Sequence, residues 1–376
     1  MSNDASTSKS YPIGSADPLT EEIWSQKTHI EAEKLNFFNR KGLTAEDKGE
    51  EDPFKRPGGP PIVTKSEFGK KAGQKLNLRM RQQLNRGMRL DEDGATTLTT
   101  YTRGTNYAVG YEEALVYRDC QVWLDKLKHF VAMDSPDINQ HRTSIEMEPE
   151  MKAALSQWIT HNEEEIYVDG MLDGSAYIAQ QDSLTSAVTH PHTYRISGAN
   201  AVGEIGETHI MSAVELRRIM RFCIVKKLSP IDVDGEEAFV VLLSSALVSQ
   251  LLNDEEFQRV VSQAGARGAD NPLISGSIGK FYNLYLFQYE RNRTVTSYDN
   301  VEQVMILGSN AVAVGYGSEP RFLVRNEDGY GDRFGRGIAR IIGVGRMDFA
   351  DKDDTDLVNQ SSGLWQVYKD QDEFDG

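Results

Sequence analysis

A few places in the 376-residue sequence carry side chains that could do chemistry. His161 and Glu165 in HNEEE stand four residues apart, so on a helix they share one face, the spacing that begins a metal site. No third ligand stands nearby, and a solvated helix face accounts for the three adjacent carboxylates. His190 and His192 in THPHT could ligate a metal in the same way, yet no Cys, His or carboxylate cluster at ligand spacing joins them. The glycine-rich GYGDRFGRG at 329–337 approaches a phosphate loop. The third glycine of a dinucleotide fingerprint falls on Phe334, however, and no Walker Lys-Ser or Lys-Thr pair follows, so turn glycines between two strands suffice. Ser244 and Ser245 follow a strand-like run, but LLSSALV contains no Gly-x-Ser-x-Gly elbow. Cys120 and Cys223 share no redox or ligand spacing and read as reduced, buried thiols. No catalytic constellation survives, and the expectation is a protein with no catalytic, cofactor or metal site.

The elements around these residues form an α+β pattern. Residues 1–64 are rich in Pro, Gly and charge, as in EDPFKRPGGPP, and read as an extended arm interrupted by one helix. Asp17 and Pro18 suit that helix's start, Trp24 and Phe38 are part of its apolar surface, and Gly42 ends it. Glu148, Pro149 and Glu150 open a long helix whose one side carries Met151, Leu155, Trp158, Ile159 and Ile166 up to the glycines at 170 and 174. Ser212 and Glu215 have capping-box spacing. AFVVLL at 238–243 reads as a buried strand, followed by two short helices, the alternating strand near 280–290, EQVMILG at 302–308 and GIARIIGVGRMDF at 337–349. The tail from Asp351 is acidic and reads as a solvated end or a strip for a basic partner.

Charge is distributed unevenly. The chain has a formal net charge of −16, which disfavours tight, sequence-independent nucleic-acid binding. Yet Lys65 to Leu90 holds eight basic residues and the single acid Glu67. Within it, KLNLRMR alternates Leu76, Leu78 and Met80 with Lys75, Asn77, Arg79 and Arg81, a strand with one apolar and one charged face. With the turn-rich NRGMRLDEDG and the β-branched TTLTTYT at 96–102, it reads as a long hairpin with Arg86 and Arg89 near its tip. No apolar run approaches the roughly 20 residues of a membrane helix, and MSNDASTSKS lacks the apolar centre of a signal peptide, which points to the cytoplasm.

The order of parts, with LSPIDVDGEEAFVVLL at 228–243, LLNDEEFQ at 251–258, NPLISGSIGKFYNLYLFQYE at 271–290, VMILGSNAVAV and IIGVGRMDF, resembles the major capsid proteins of tailed bacteriophages with the Hong Kong 97 fold. The resemblance is to the coliphage N-four-like family and covers roughly residues 20–350. One departure is that Ser244 and Ser245 stand where the family often has His-Pro.

The resemblance implies an N-terminal arm at 1–64, an extended basic hairpin loop at 65–110 and a peripheral domain with a spine helix at 111–180. An axial domain at 181–335 follows, then 336–376 as a return strand to the peripheral domain with the acidic tail. It implies a homo-oligomer of pentamers and hexamers forming an icosahedral shell around double-stranded DNA, with no sequence-specific DNA binding and no membrane. Scaffolding, portal and decoration proteins are its possible partners, and assembly takes place in the host cytoplasm. Leu76, Leu78, Arg79, Met80, Arg81, Arg86 and Arg89, with Trp24 and Phe38 of the arm, would touch neighbouring subunits. The acidic partners of the arginines would be the Glu163 to Glu165 run or the tail. An encapsulin-like compartment shell shares the fold, and a soluble α+β enzyme is the alternative of a different class.

Overall fold

The computed structural model describes residues 36–46, 59–65, 75–81, 89–90, 96–97, 117–134, 147–173, 190–233, 235–259, 279–328, 333–350 and 357–369. The arm contributes helix α1 (Phe37–Arg40) and strands β1 (Thr44–Glu46) and β2 (Ile62–Lys65). Next come β3 (Lys75–Arg81), β4 (Arg89–Leu90), β5 (Thr96–Thr97), β6 (Tyr117–Trp123), β7 (Asp125–Asp134) and the long helix α2 (Met147–Asp173). The middle of the chain gives β8 (Thr193–Arg195), helix α3 (Ala213–Val225), β9 (Ile231–Val233), β10 (Glu236–Leu243) and helix α4 (Ser245–Asn253). It continues with β11 (Gly279–Phe281), β12 (Leu284–Gln288), β13 (Thr294–Val295) and β14 (Tyr298–Leu307). The chain closes with β15 (Val312–Asp328), β16 (Arg333–Arg346), β17 (Asp348–Ala350), β18 (Leu357–Asn359) and β19 (Ser362–Tyr368).

Two sheets organise these elements. One has the order β1-β2-β15-β16-β7, with the long β15–β16 hairpin at its centre and α2 packed on it. The other has the order β11-β12-β10-β14-β19-β8, with β13 and β9 attached. The all-apolar run in β10 follows from its position between two cores. Phe239, Val241 and Leu243 enter the core under α3 and α4, while Ala238, Val240 and Leu242 enter the core shared with α2. A strand's side chains alternate faces, so a strand covered on both sides needs apolar residues throughout. β14 does the same, with Val304 and Ile306 on one side and Met305 and Leu307 on the other.

Several expectations change here. The acidic tail is not simply a solvated end: β19 is buried along its whole length between β14 and β8. β15 and β16 belong to the first sheet, on which α2 packs, and β19 returns the chain to the second sheet. Ser212 makes no side-chain cap. Asp254 Oδ2 instead accepts from Ala213 N at 2.7 Å, and Glu215 is buried, accepting from Ser197 Oγ at 2.6 Å.

Helix α2 runs through Gly170 and ends at Asp173, just before Gly174. A Cβ at Gly170 would lie 2.7 Å from Val344 Cγ1, so this glycine permits close approach of helix and sheet. Gly170→Ala is therefore expected to destabilise by about 1–3 kcal/mol despite alanine's better helix propensity. Adding Val344→Ala is expected to restore part of the loss in a denaturant titration. The helix ends where the buried Arg346 guanidinium donates to Met171 O (3.1 Å) and Leu172 O (2.6 Å), a cation at the helix's negative end.

Candidate functional site

The residues singled out in the sequence fall on the basic strand, the arm, the long helix and the serine and histidine pairs, and each of those among the described residues has a definite place. The basic strand β3 pairs antiparallel with β6, from Lys75↔Trp123 through Leu78↔Cys120 to Arg81↔Tyr117. Its partner is thus not the threonine-rich 96–102 segment, of which Thr96 and Thr97 pair with Leu90 and Arg89 further along. The β3–β6 pairing runs to Trp123. Cys120 and Val122 give β6 its buried face at the root, and Cys120 Sγ lies 3.6 Å from Arg346 O. Cys120 and Val122 thereby fix β6, and with it the paired β3, to the core. Burial pushes the Cys120 thiol up to about 11 and the Cys223 thiol up to about 12, so both stay protonated and inert.

The backbone thus places Leu76, Leu78, Arg79, Met80 and Arg81 on one strand and Arg89 at the start of a second, shorter pairing. Arg86 and Trp24 lie outside the described residues. Phe38 does not face a neighbour. It is fully buried in its own subunit, with ring centroids 5.6 Å from Tyr167 and 5.4 Å from Tyr289. Asn36 Oδ1 accepts from Phe38 N at 3.0 Å, capping α1, and Glu164 Oε1 accepts from Phe37 N at 2.7 Å. The arm is pinned to the spine at this point. Gly42, at φ 67°, turns the chain after α1 as expected.

Helix α2 turns one apolar face inward. Met151, Leu155 and Ile159 are buried, and Trp158 is half-buried and stacked on His129 at 4.5 Å. The glutamates behave differently from the expectation of a solvated run. Glu163 and Glu164 are buried; Glu163 pairs with buried Arg340, and Glu164 Oε2 lies 3.3 Å from Arg291 Nη1. They are occupied within the subunit, and only Glu165 of the run is exposed. Arg340 also stacks 4.0 Å over the Tyr316 ring, whose hydroxyl is 2.5 Å from that of Tyr167 on α2. This seam fastens helix to sheet and was missed in the sequence. The signal was the period of two in β16, which puts Arg336, Arg340 and Arg346 on the same face as Ile338, Ile342 and Val344.

The serines and histidines are structural. Ser244 stands at the N-cap position of α4 without a side-chain cap, its Oγ donating instead to Glu302 Oε2 at 2.5 Å, and Ser245 Oγ donates to Glu290 Oε2 at 2.8 Å. Glu302 is fully buried; burial pushes its carboxyl up, against the pull of Ser244, Asn292 and Lys369. His190 Nε2 is 2.9 Å from Ser362 Oγ, its Nδ1 accepts from His192 N at 2.9 Å, and His192 Nε2 is 2.6 Å from Asn359 O. Among the described residues no group of His, Cys, Asp and Glu could hold a metal, and no helix is long and apolar enough to cross a membrane.

Burial, then nearby Arg346 and His192, hold His190 well below its ordinary 6.5. The unfolded chain therefore takes up this proton first. Stability contributed by neutral His190 starts to fall as pH drops below 6.5 and continues to fall down to the folded value. Thermal melts between about pH 7.5 and 5 are expected to show this slope, and His190→Gln is expected to flatten it.

The profile of the family described as phage capsid protein matches residues 13–370. The chain belongs to the phage capsid protein family. The capsid of Ralstonia phage GP4 is similar at 17% identity and a TM-score of 0.64, covering 86% of this chain and 89% of that one. The cyanophage Pam1 capsid is similar at 18% identity and a TM-score of 0.63, covering 86% and 95%. The capsid of Helicobacter pylori bacteriophage KHP30, described as acidic stable, follows at 14% identity and a TM-score of 0.61, covering 88% and 91%. No curated protein matches. The α+β architecture expected from the sequence is thus the capsid fold, and the chain is a major capsid protein, a shell subunit of the virion and not an enzyme.

Proposed function

We propose that this capsid protein is an N-four-like subunit of an icosahedral head around double-stranded DNA, and that it assembles by lending its β3–β6 hairpin and its arm to adjacent copies. The observation that carries the reading is the hairpin itself. Its root is held by Cys120 and Val122, whereas β3 and the β4–β5 pairing extend from that root with a dense set of cations on an acidic chain. A seven-residue strand reaches about 23 Å, enough to cross onto a neighbouring subunit. Each copy then gives a hairpin to one neighbour and receives one from another, a heterologous contact that propagates and closes by curvature. Because several modest contacts act together, the shell gains through multivalency.

In this reading the second sheet with α3 and α4 forms the axial part of pentamers and hexamers, and α2 with the β15–β16 hairpin forms the wall between them. Assembly takes place in the host cytoplasm, with scaffolding, portal and decoration proteins as partners. The acidic balance keeps the subunit from gripping packaged DNA. Electron microscopy with light scattering on the purified full chain tests the reading: closed shells or capsomer rings are expected. Nuclease-protected DNA inside shells from infected cells marks a virus, protein cargo marks an encapsulin-like compartment, and a clean monomer under conditions with scaffolding protein present contradicts the reading.

A further inference from the structure

Helix α3 spans the face of the axial sheet, burying Leu216, Ile219, Phe222 and Cys223, and its outer side is unusual for so acidic a chain. Arg221, Lys226 and Lys227 are exposed around its C-terminal end. Among them stand Ile224 and Val225, 61% and 63% exposed, the two most exposed aliphatic side chains of the described residues. Arg221, Ile224 and Val225 share one helix face by their spacing of three and four. Cations mixed with large aliphatics are the composition of a protein interface. Phosphate contact uses cations but gains nothing from Ile and Val.

A complementary surface lies elsewhere on the same sheet. Glu204 and Glu207 are exposed, the Glu204 carboxylate accepting from Asn200 N at 2.7 Å, and Tyr298, 43% exposed, lies close to Gly203, where an added Cβ would be 3.2 Å from its hydroxyl. The two surfaces sit at opposite ends of β19. The Phe222 ring of α3 covers Gly363 at its start, while Tyr368 at its end donates its N–H to His209 O, two residues from Glu207, and pairs with Val301 beside Tyr298. Five residue steps of strand separate them, roughly 17 Å. Within the subunit Lys226 Nζ lies 5.9 Å from the Tyr194 ring centroid, and the separation along β19 keeps the patch from reaching the acidic surface of its own subunit.

We propose that the C-terminal end of α3, through Arg221, Ile224, Val225, Lys226 and Lys227, docks on the Glu204–Glu207–Tyr298 surface of an adjacent copy, head to tail around the capsomer. This rests on the shell reading above and names the axial contact that the reading leaves open. The direction is heterologous, so the contact builds rings rather than two-fold dimers.

The test uses particles of full-length chain assembled from an equal mixture of isotopically light and heavy copies. A zero-length carbodiimide treatment joins lysine amines to carboxylates in direct contact. Hybrid light–heavy peptides joining Lys226 or Lys227 to Glu204 or Glu207 are expected. Particles whose hybrid crosslinks join other residues but never these overturn the inference while leaving the shell reading intact. A chain that forms no particles under any assembly condition fails the shell reading, and this inference with it. As an independent arm, Arg221→Glu with Lys226→Glu is expected to lower particle yield more than about tenfold, and adding Glu207→Lys is expected to recover part of it. If that double variant assembles normally and only its DNA retention falls, the face contacts DNA and the proposed docking is wrong.

Discussion

Arg340→Ala will destabilise the subunit by about 3–5 kcal/mol, because it leaves the Glu163 carboxylate buried without its cation. It also removes the guanidinium stacked on Tyr316, so the connection from sheet to Tyr167 on the spine helix loses its central member. The pair is not expected to be the source of net stability. Replacing Glu163 and Arg340 together by apolar residues of similar volume is expected to recover most of the loss, since two desolvation penalties disappear with the attraction. Denaturant unfolding of the unassembled subunit separates these outcomes. A single Arg340→Ala variant within about 1 kcal/mol of the parent would mean that the seam is solvated and does not fasten α2 to the sheet.

That seam marks the limit of what was legible from residues alone. Strand existence and the two-sided core were readable, because AFVVLL cannot be covered on only one face, and the length and inner face of α2 followed from Met151, Leu155 and Ile159. Glu163 and Glu164 were not readable as buried. A run of carboxylates resembles a solvated face until Arg340 of β16 is seen to meet Glu163, and Arg291, before β13, to meet Glu164, each more than a hundred residues later in the chain. A similar separation hid Arg346 as the terminator of α2, and a shorter one, 41 residues, hid Asp254 as the anchor of α3. The hairpin was recognised by its alternation, but not its pairing partner. Thr96 to Thr102 has the β propensity, whereas Tyr117–Trp123 has the buried Cys120 and Val122 that fix it to the body. Propensity alone could not rank the two strands, and the partner is known only from the register of β3 on β6. Phe38 illustrates the converse: an aromatic on an arm suggested a neighbour's surface, yet Tyr167 and Tyr289 supply a pocket at home.

The second large effect is on assembly rather than folding. Arg79→Glu with Arg81→Glu is expected to leave the subunit folded, because β3 is held to β6 through its backbone pairing. Particle yield is expected to fall more than about tenfold, as like charges replace attraction at every copy of the contact. Circular dichroism and the denaturation midpoint should match the parent while sedimentation shows unassembled protein. Raising the salt should weaken assembly of the parent in the same direction, because exposed charge pairs are screened. Normal shells from the double variant would remove the hairpin from the assembly mechanism. The acidic surface it meets is not Glu163 or Glu164, both of which are buried and engaged within the subunit.

The most direct test of the central claim is a cryo-electron microscopy reconstruction of assembled particles that traces the chain from β3 through the β4–β5 pairing to β6. The hairpin is expected to leave its root at Cys120 and Val122 and lie across the adjacent subunit, its arginines against that neighbour's acidic surface. A hairpin folded back along its own β15–β16 sheet, in particles that nevertheless close, would contradict the claim that this segment joins the shell together.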